Sequence, residues 1–574
     1  MNRPALFVAA LAVSLSASVI AQDRLEGLID ISATLEKKKE INDALDVVRT
    51  SIRWTDDHTV AFRDDGQWYS FNVQSGEKVE IRSLEGGGQG GGVGPHPNSK
   101  RRRPARGRQY TEEFSTDAKK RAYYEGGNLW VSDTDGKNAR AITTEGDASK
   151  RIKFGSASWV YGEELGQRDA MGWSPTGDYI WFYGFDDSMV QDYFMAMNQT
   201  KVQTILDAEA YPKAGTPNPE CDVYIYDFKE DRRVKVKVRP REFNEEVGHY
   251  VYGFKWSPDS NELLFHRTNR WQNTMEFCAA DPKTGDVRVI AREEWLPSWT
   301  DNTPQRTYFD EIDDAPESLK GWMLWVTTKN GFRNYDLIEL KSGVRKTITR
   351  NMRDATRTVR IDAERGELYY MAAGADNPYL LQLRRARLDG SSDEQLTKDE
   401  WNHTVTLSPT GEYFVDVAET VNMPPVVTVR DQVGKQIAEL ASSDINEAIE
   451  AGFYPPLRVV YTAADGKTQC YGRLTFPPDF DPKKKYPVIV SVYAGPGSGG
   501  SAERFQTFSR MNDYGFFVAS FNGRGTRGRG KAFMDPLYQN LGVVEVDDQA
   551  AGVRHLGKLP FVDTQRVGII GTSY

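Results

Sequence analysis

The sequence predicts a mixed architecture: an N-terminal all-β propeller followed by the first half of an α/β-hydrolase domain. Three observations lead there. Over residues 50–445, aromatic and β-branched runs are cut by turn pairs such as Glu125-Gly126-Gly127-Asn128, Asp135-Gly136-Lys137, Thr284-Gly285-Asp286 and Asp389-Gly390. Within that span a unit of Trp or another apolar residue followed by Ser-Pro recurs, at Trp173-Ser174-Pro175, Trp256-Ser257-Pro258 and Leu407-Ser408-Pro409, with looser copies at Trp54 and Phe114. Each copy leads into an apolar strand, as the blade units of a propeller do. Over residues 446–574, strand-like runs alternate with a helical stretch, which predicts a parallel sheet with crossover connections.

The elements follow in order. Residues 1–21 read as a signal peptide: Arg3 gives a basic start, an apolar core follows, and Val19-Ile20-Ala21 ends it with a cleavage-like site. The apolar core, of about 16 residues, is shorter than the roughly 20 a spanning helix needs, so a membrane anchor is the lesser alternative. Residues 22–49 form a helical segment. The domain junction is expected over 444–456, where a helical stretch ends at Gly452 and Pro455-Pro456 precedes the strand Leu457-Arg458-Val459-Val460-Tyr461. Tyr486-Pro487-Val488-Ile489-Val490-Ser491-Val492-Tyr493 and Phe516-Phe517-Val518-Ala519-Ser520-Phe521 are the next strands, and residues 544–559 a helix. Arg566-Val567-Gly568-Ile569-Ile570 then reads as a buried parallel strand running into Gly571-Thr572-Ser573-Tyr574.

Strand followed by Gly-x-Ser-x is the opening of a nucleophile elbow, a sharp turn that projects a serine hydroxyl. Ser573 is the candidate nucleophile, and a serine needs an adjacent base to become one. The charge that develops on an attacked carbonyl oxygen needs donors already in place, and the peptide N–H after the nucleophile, that of Tyr574, supplies one. Tyr493, at a strand end, reads equally as a packed tyrosine or as a site residue. Glu163-Glu164 reads as a solvated surface pair or as two carboxylates that bind a substrate ammonium group. Such a pair repels itself unless a cation sits between its members.

Phe476-Pro477-Pro478-Asp479-Phe480, Lys485-Tyr486-Pro487, Val492-Tyr493-Ala494-Gly495-Pro496, Ala519-Ser520-Phe521-Asn522-Gly523-Arg524-Gly525 and Gly571-Thr572-Ser573-Tyr574 resemble, in order and spacing, the dipeptidyl peptidase IV group of the prolyl oligopeptidase family. Trp159-Val160-Tyr161-Gly162-Glu163-Glu164-Leu165 is similar to the double-glutamate motif of that group, and Tyr211-Pro212-Lys213-Ala214-Gly215 with Asn218-Pro219 to another of its propeller segments. Thr572 departs from the tryptophan found there. The resemblance implies a serine exopeptidase that removes X-Pro or X-Ala dipeptides from peptides with a free N-terminus. It implies the Tyr493 hydroxyl as second oxyanion donor and Glu163 and Glu164 as the amine clamp. It implies no cofactor and no metal, and it leaves a homodimer of the complete protein open.

In this fold the triad runs serine, acid, histidine along the chain. Of the six histidines, His58, His96, His249, His266 and His403 precede the hydrolase segment, and His555 lies on the helix before the elbow. The acid and base are therefore expected beyond residue 574, which makes the chain a fragment or early-ended copy, inactive alone. The rival expectation is a secreted propeller used for binding, with a vestigial hydrolase tail. Net charge −9 argues against a nucleic-acid partner for the whole chain. The glycine run at 86–94 and the basic cluster Lys100-Arg101-Arg102-Arg103, Arg106 and Arg108 read as a flexible solvated loop, with a polyanion patch as the alternative. Cys221, Cys278 and Cys470 are too few for a disulfide framework and read as packing residues. An exported protein, periplasmic or extracellular, is the expected location.

Overall fold

The computed structural model describes residues 32–48, 51–64, 66–82, 96–398, 400–499 and 502–574. The expected signal peptide and the glycine run lie outside the described residues, as does the start of the helical segment, of which 32–43 is helical.

The recurring Ser-Pro unit has one physical explanation. In each copy it is the tight turn between two consecutive, antiparallel-paired strands of a sheet. Gly177 N–H donates to Ser174 O, Ser260 N–H to Ser257 O, and Gly411 N–H to Ser408 O, each at 2.9 Å. The serine hydroxyl then accepts from the peptide N–H five residues on: Tyr179 at 3.1 Å, Glu262 at 3.0 Å and Tyr413 at 3.2 Å. Serine serves because a short side-chain acceptor can replace a backbone partner in a turn. The looser copy after Phe114 repeats the geometry, Lys120 N–H donating to Ser115 Oγ at 2.9 Å.

The chain divides into two compact units: Met1–Gly87 with Asn330–Tyr335 and Thr347–Tyr574, and Gly88–Lys329 with Asp336–Lys346. The first unit holds three four-stranded antiparallel sheets, over 52–81, 355–395 and 402–442, each with its strands in chain order. It also holds a five-stranded sheet over 457–570. Over the expected junction, 444–456, a short helix, Asn446–Glu450, leads to the strand Leu457–Thr462. The second unit holds four-stranded antiparallel sheets over 112–141 and 250–294, and a five-stranded one over 152–235. A separate two-stranded ribbon pairs Asp192–Met197 with Ile205–Ala210. A further four-stranded sheet runs over 306–347. In the 250–294 sheet, Leu263–Thr268 and Thr274–Ala280 are buried at every position, which accounts for their lack of alternation.

The 457–570 sheet is mixed rather than parallel throughout. Leu457–Thr462 and Gln469–Thr475 form an antiparallel hairpin, and Gln469–Thr475 also pairs antiparallel with Phe517–Asn522. Tyr486–Ser491 lies parallel between Phe517–Asn522 and Val562–Ile570. Its core gathers Val488, Val490, Phe517, Ala519 and Phe521 from the strands, with Phe476 and Leu556 packed against them. The three cysteines are buried free thiols. Among the described residues, no helix is long and apolar enough to cross a membrane.

Candidate active site

The predicted site residues fall into two sets, one in each unit. In the first unit, Val562–Ile570 pairs in parallel with Tyr486–Ser491, bringing Ser491 opposite Ile570, and Val492 N–H donates to Ile570 O at 2.9 Å. Tyr493 and Ser573 therefore leave the sheet together, at the carboxyl ends of adjacent strands where α/β sheets place their chemistry. Gly571 is required there, since a Cβ on it would stand 2.4 Å from Val492 O. Ser573 adopts a left-handed backbone with φ 79°. That conformation costs a non-glycine residue about 1–2 kcal/mol, and it is the strained turn by which an elbow exposes its hydroxyl. Ser573 is exposed, and among the described residues none hydrogen-bonds to its hydroxyl. The strand before it was expected to be buried. It is the edge strand of the sheet, covered by a neighbour on one side, and Ile569 is 71% exposed.

Tyr493 is 50% exposed rather than packed in a core. Its ring meets that of Tyr574 with centroids 5.9 Å apart. The Tyr574 hydroxyl donates to Glu545 Oε1 at 2.6 Å. Loss of solvent, reinforced by the Glu545 carboxylate, pushes the Tyr574 phenol up to about 12. Tyr493, Tyr574 and Glu545 line a cavity of about 700 Å³ whose other walls are mainly apolar, among them Val490, Val546 and Val567. The Tyr574–Glu545 contact carries no local sequence signal, because the two residues are 29 positions apart.

In the second unit, Glu163 ends the short helix Trp159–Glu163 and Glu164 caps it. Tyr161 pins that helix to the core: it is 1% exposed, and its ring meets Phe185 edge-on at 4.8 Å. Of the two acids, Glu164 is exposed and Glu163 partly so. Trp159 packs against Tyr211, ring centroids 5.3 Å apart, so the segments around 159–165 and 211–219 meet in space. Arg106 Nε donates to Glu163 Oε1, and Nη2 lies in ion-pair contact with the same oxygen. That hydrogen bond, with the charges of Glu163 and Glu164, holds the guanidinium above its usual range. Arg106 thus sets a cation against Glu163, and the Glu164 charge acts on it as well.

The described part of the basic cluster is thus not a free loop. Arg101 pairs with Glu113 and lies 4.1 Å over the Tyr110 ring, and Arg108 pairs with Glu209 and, at 3.5 Å, Asp207. Gly107 lets the segment pass: its φ is +72°, and a Cβ would fall 2.1 Å from Trp159 Nε1. Ion pairing anchors these arginines where composition alone read solvation. Their charge, set beside an uncompensated acidic pair, was the available signal.

The comparisons with known proteins follow the same residues. The family model described as "Dipeptidyl peptidase IV (DPP IV) N-terminal region" matches residues 79–425, and that of the "Prolyl oligopeptidase family" matches 502–574. The chain belongs to the dipeptidyl peptidase IV-like prolyl oligopeptidase family. That family is one of serine-type peptidases. A relative named "Probable dipeptidyl-aminopeptidase B", from Uncinocarpus reesii, is 26% identical over 481 residues, covering 78% of this chain and 51% of the relative. "Venom dipeptidyl peptidase 4" of Vespa velutina is 25% identical over 454 residues, covering 73% and 56%. The chain spans about half the length of the curated relatives it matches. The dipeptidyl peptidase 4 of Porphyromonas gingivalis shares the fold, with a TM-score of 0.62 at 24% identity over 91% of this chain and 69% of that one.

Proposed function

We propose that this protein acts as a serine exopeptidase that removes X-Pro or X-Ala dipeptides from the free N-terminus of exported peptides. Ser573 attacks the scissile carbonyl, and the Tyr574 N–H and Tyr493 hydroxyl receive the charge that forms on its oxygen. Glu163 and Glu164 hold the substrate ammonium group, with Arg106 keeping the two carboxylates together until substrate arrives. The antiparallel sheets form a propeller, the 457–570 sheet belongs to an α/β-hydrolase domain, and residues 1–21 direct export to the periplasm or outside the cell.

The observation that carries this reading is the left-handed Ser573, set beside Tyr493 at the ends of two parallel strands. The named peptidases among the relatives support it. No described residue hydrogen-bonds to the Ser573 hydroxyl, so we expect negligible turnover of dipeptidyl-proline and dipeptidyl-alanine chromogenic substrates by the 574-residue chain itself. An enzyme form with a complete triad should cleave them, and Ser573→Ala should abolish both turnover and fluorophosphonate labelling. Turnover that survives Ser573→Ala would refute the assignment. A binding role without catalysis is the second reading, favoured by the same unpartnered hydroxyl. It predicts peptide binding with no labelling in any form.

A further inference from the structure

Glu545 stands in the first turn of the helix Val544–Leu556 and is 2% exposed. A carboxylate buried to that degree is ordinarily paired with a cation. Among the described residues it makes no ion pair. Its Oε1 accepts the Tyr574 hydroxyl at 2.6 Å and, more closely, the Gly542 N–H, while Oε2 has no hydrogen-bond partner. The helix N-terminus favours the negative charge, and Leu556, buried at the other end, anchors the helix. Glu545 is thus a fixed post held by neutral donors. What it holds is the residue after the serine. Tyr574 itself is 48% exposed. Its ring also meets that of Tyr493, tilted at 48°.

Resting on the reading of Ser573 as nucleophile, we propose that Glu545 is a positioning residue of the site: it anchors the Tyr574 phenol so that the Tyr574 peptide N–H stays aimed at the oxyanion. An oxyanion donor acts by being in place before the charge forms. A phenol tied to a rigid helix limits the rotations that would carry the attached peptide group away. Glu545 touches no substrate atom in this role and works through Tyr574 alone.

The test is a double-mutant cycle in an enzyme form with a complete triad. Losing an oxyanion donor costs about 10²–10³ in kcat. Loosening one should cost less: Tyr574→Phe and Glu545→Ala are each expected to lower kcat about 10-fold, with KM within about twofold. The double variant should be no worse than either single one, because both remove the same contact. Glu545→Gln keeps an acceptor oxygen and should stay within about threefold of the parent. Should Glu545→Ala fail to fold, Tyr574→Phe at its half-exposed position and Glu545→Gln carry the test. A second readout needs no activity: fluorotyrosine installed at 574 should shift its ¹⁹F resonance on Glu545→Ala and much less on Glu545→Gln. Losses that multiply, no loss on Tyr574→Phe, or an unmoved resonance would overturn the proposal. Activity that survives Ser573→Ala would instead overturn the reading beneath it.

Discussion

Glu163 and Glu545 are both helical carboxylates, and the chain neutralises them in opposite ways. Glu163 meets a guanidinium, that of Arg106, whose side chain is 71% exposed. Glu545 is almost fully buried and meets a phenol and a peptide N–H. An ion pair open to water gains little net free energy and is readily exchanged, which is what the proposed hand-over of Glu163 from Arg106 to a substrate ammonium requires. A buried acid gripped by neutral donors has no comparable exchange, since breaking either bond strands charge in an apolar wall. The difference teaches which acid is built to let go of its partner and which to hold on.

The largest expected effect falls on the exchangeable acid. In an enzyme form with a complete triad, Glu163→Ala or Glu164→Ala should lower kcat/KM for free dipeptidyl substrates by about 30-fold or more, since a bound substrate shuts water out of the contact and unpairing it then costs about 2–5 kcal/mol. N-acetylated substrates should be cut poorly by the parent and lose little further. Equal treatment of free and acetylated peptides by parent and variants would leave the glutamates as a surface pair and end the comparison.

Gly107→Ala comes next. Its Cβ would press on Trp159 Nε1 from a left-handed backbone, so the second unit should lose about 2–3 kcal/mol in denaturant unfolding. A silent substitution would show that the segment carrying Arg106 sits loosely.

A third acid sharpens the contrast by pH. Loss of solvent outweighs Arg101 and raises the Glu113 carboxyl to about 7. A folded-state value above the unfolded one of 4.5 means a stabilising contribution that is full below 4.5 and lost as pH rises through 7. The second unit should therefore weaken over that window by roughly 3 kcal/mol from this group, and Glu113→Gln should flatten that part of the profile. A slope of the opposite sign would mean that Arg101 dominates.

Arg106→Met should have the smallest effect on stability, with its unfolding midpoint within experimental scatter, because the pair is open to solvent. A loss as large as that of Gly107→Ala would make Arg106 a clamp on the segment rather than an exchangeable partner.

Much of this was legible in the sequence, for local reasons. The Ser-Pro units are turns whose hydrogen bonds close within about one turn's length of chain, so the motif states its own geometry. The strands around Val488 and Phe517 were equally plain, as continuous apolar runs. Position 573 was legible because a strand, a glycine and a serine are adjacent in the chain. What escaped is what distance in the chain conceals. The pairing of Arg106 with Glu163 spans 57 positions, and composition made its segment look solvated. The exposure of Ile569 follows from strand order, which an apolar pentapeptide cannot announce. The antiparallel hairpin over 457–475 was likewise hidden, because alternation of strand and helix further along suggested a wholly parallel sheet.

Strand order also sets the sequence of events as the chain is made. In the four-stranded sheets each strand pairs with its neighbour in the chain, so contacts are local and a sheet can close soon after its last strand emerges. Tyr486–Ser491 cannot do this. Its partners are Phe517–Asn522 and Val562–Ile570, both made later, and its backbone groups wait through more than 70 residues of synthesis for the second. Synthesis at about 5–20 residues per second makes that an interval of seconds. During it an apolar strand with open hydrogen-bonding edges depends on whatever shields nascent chains, and this segment sets the kinetic risk of the whole polypeptide.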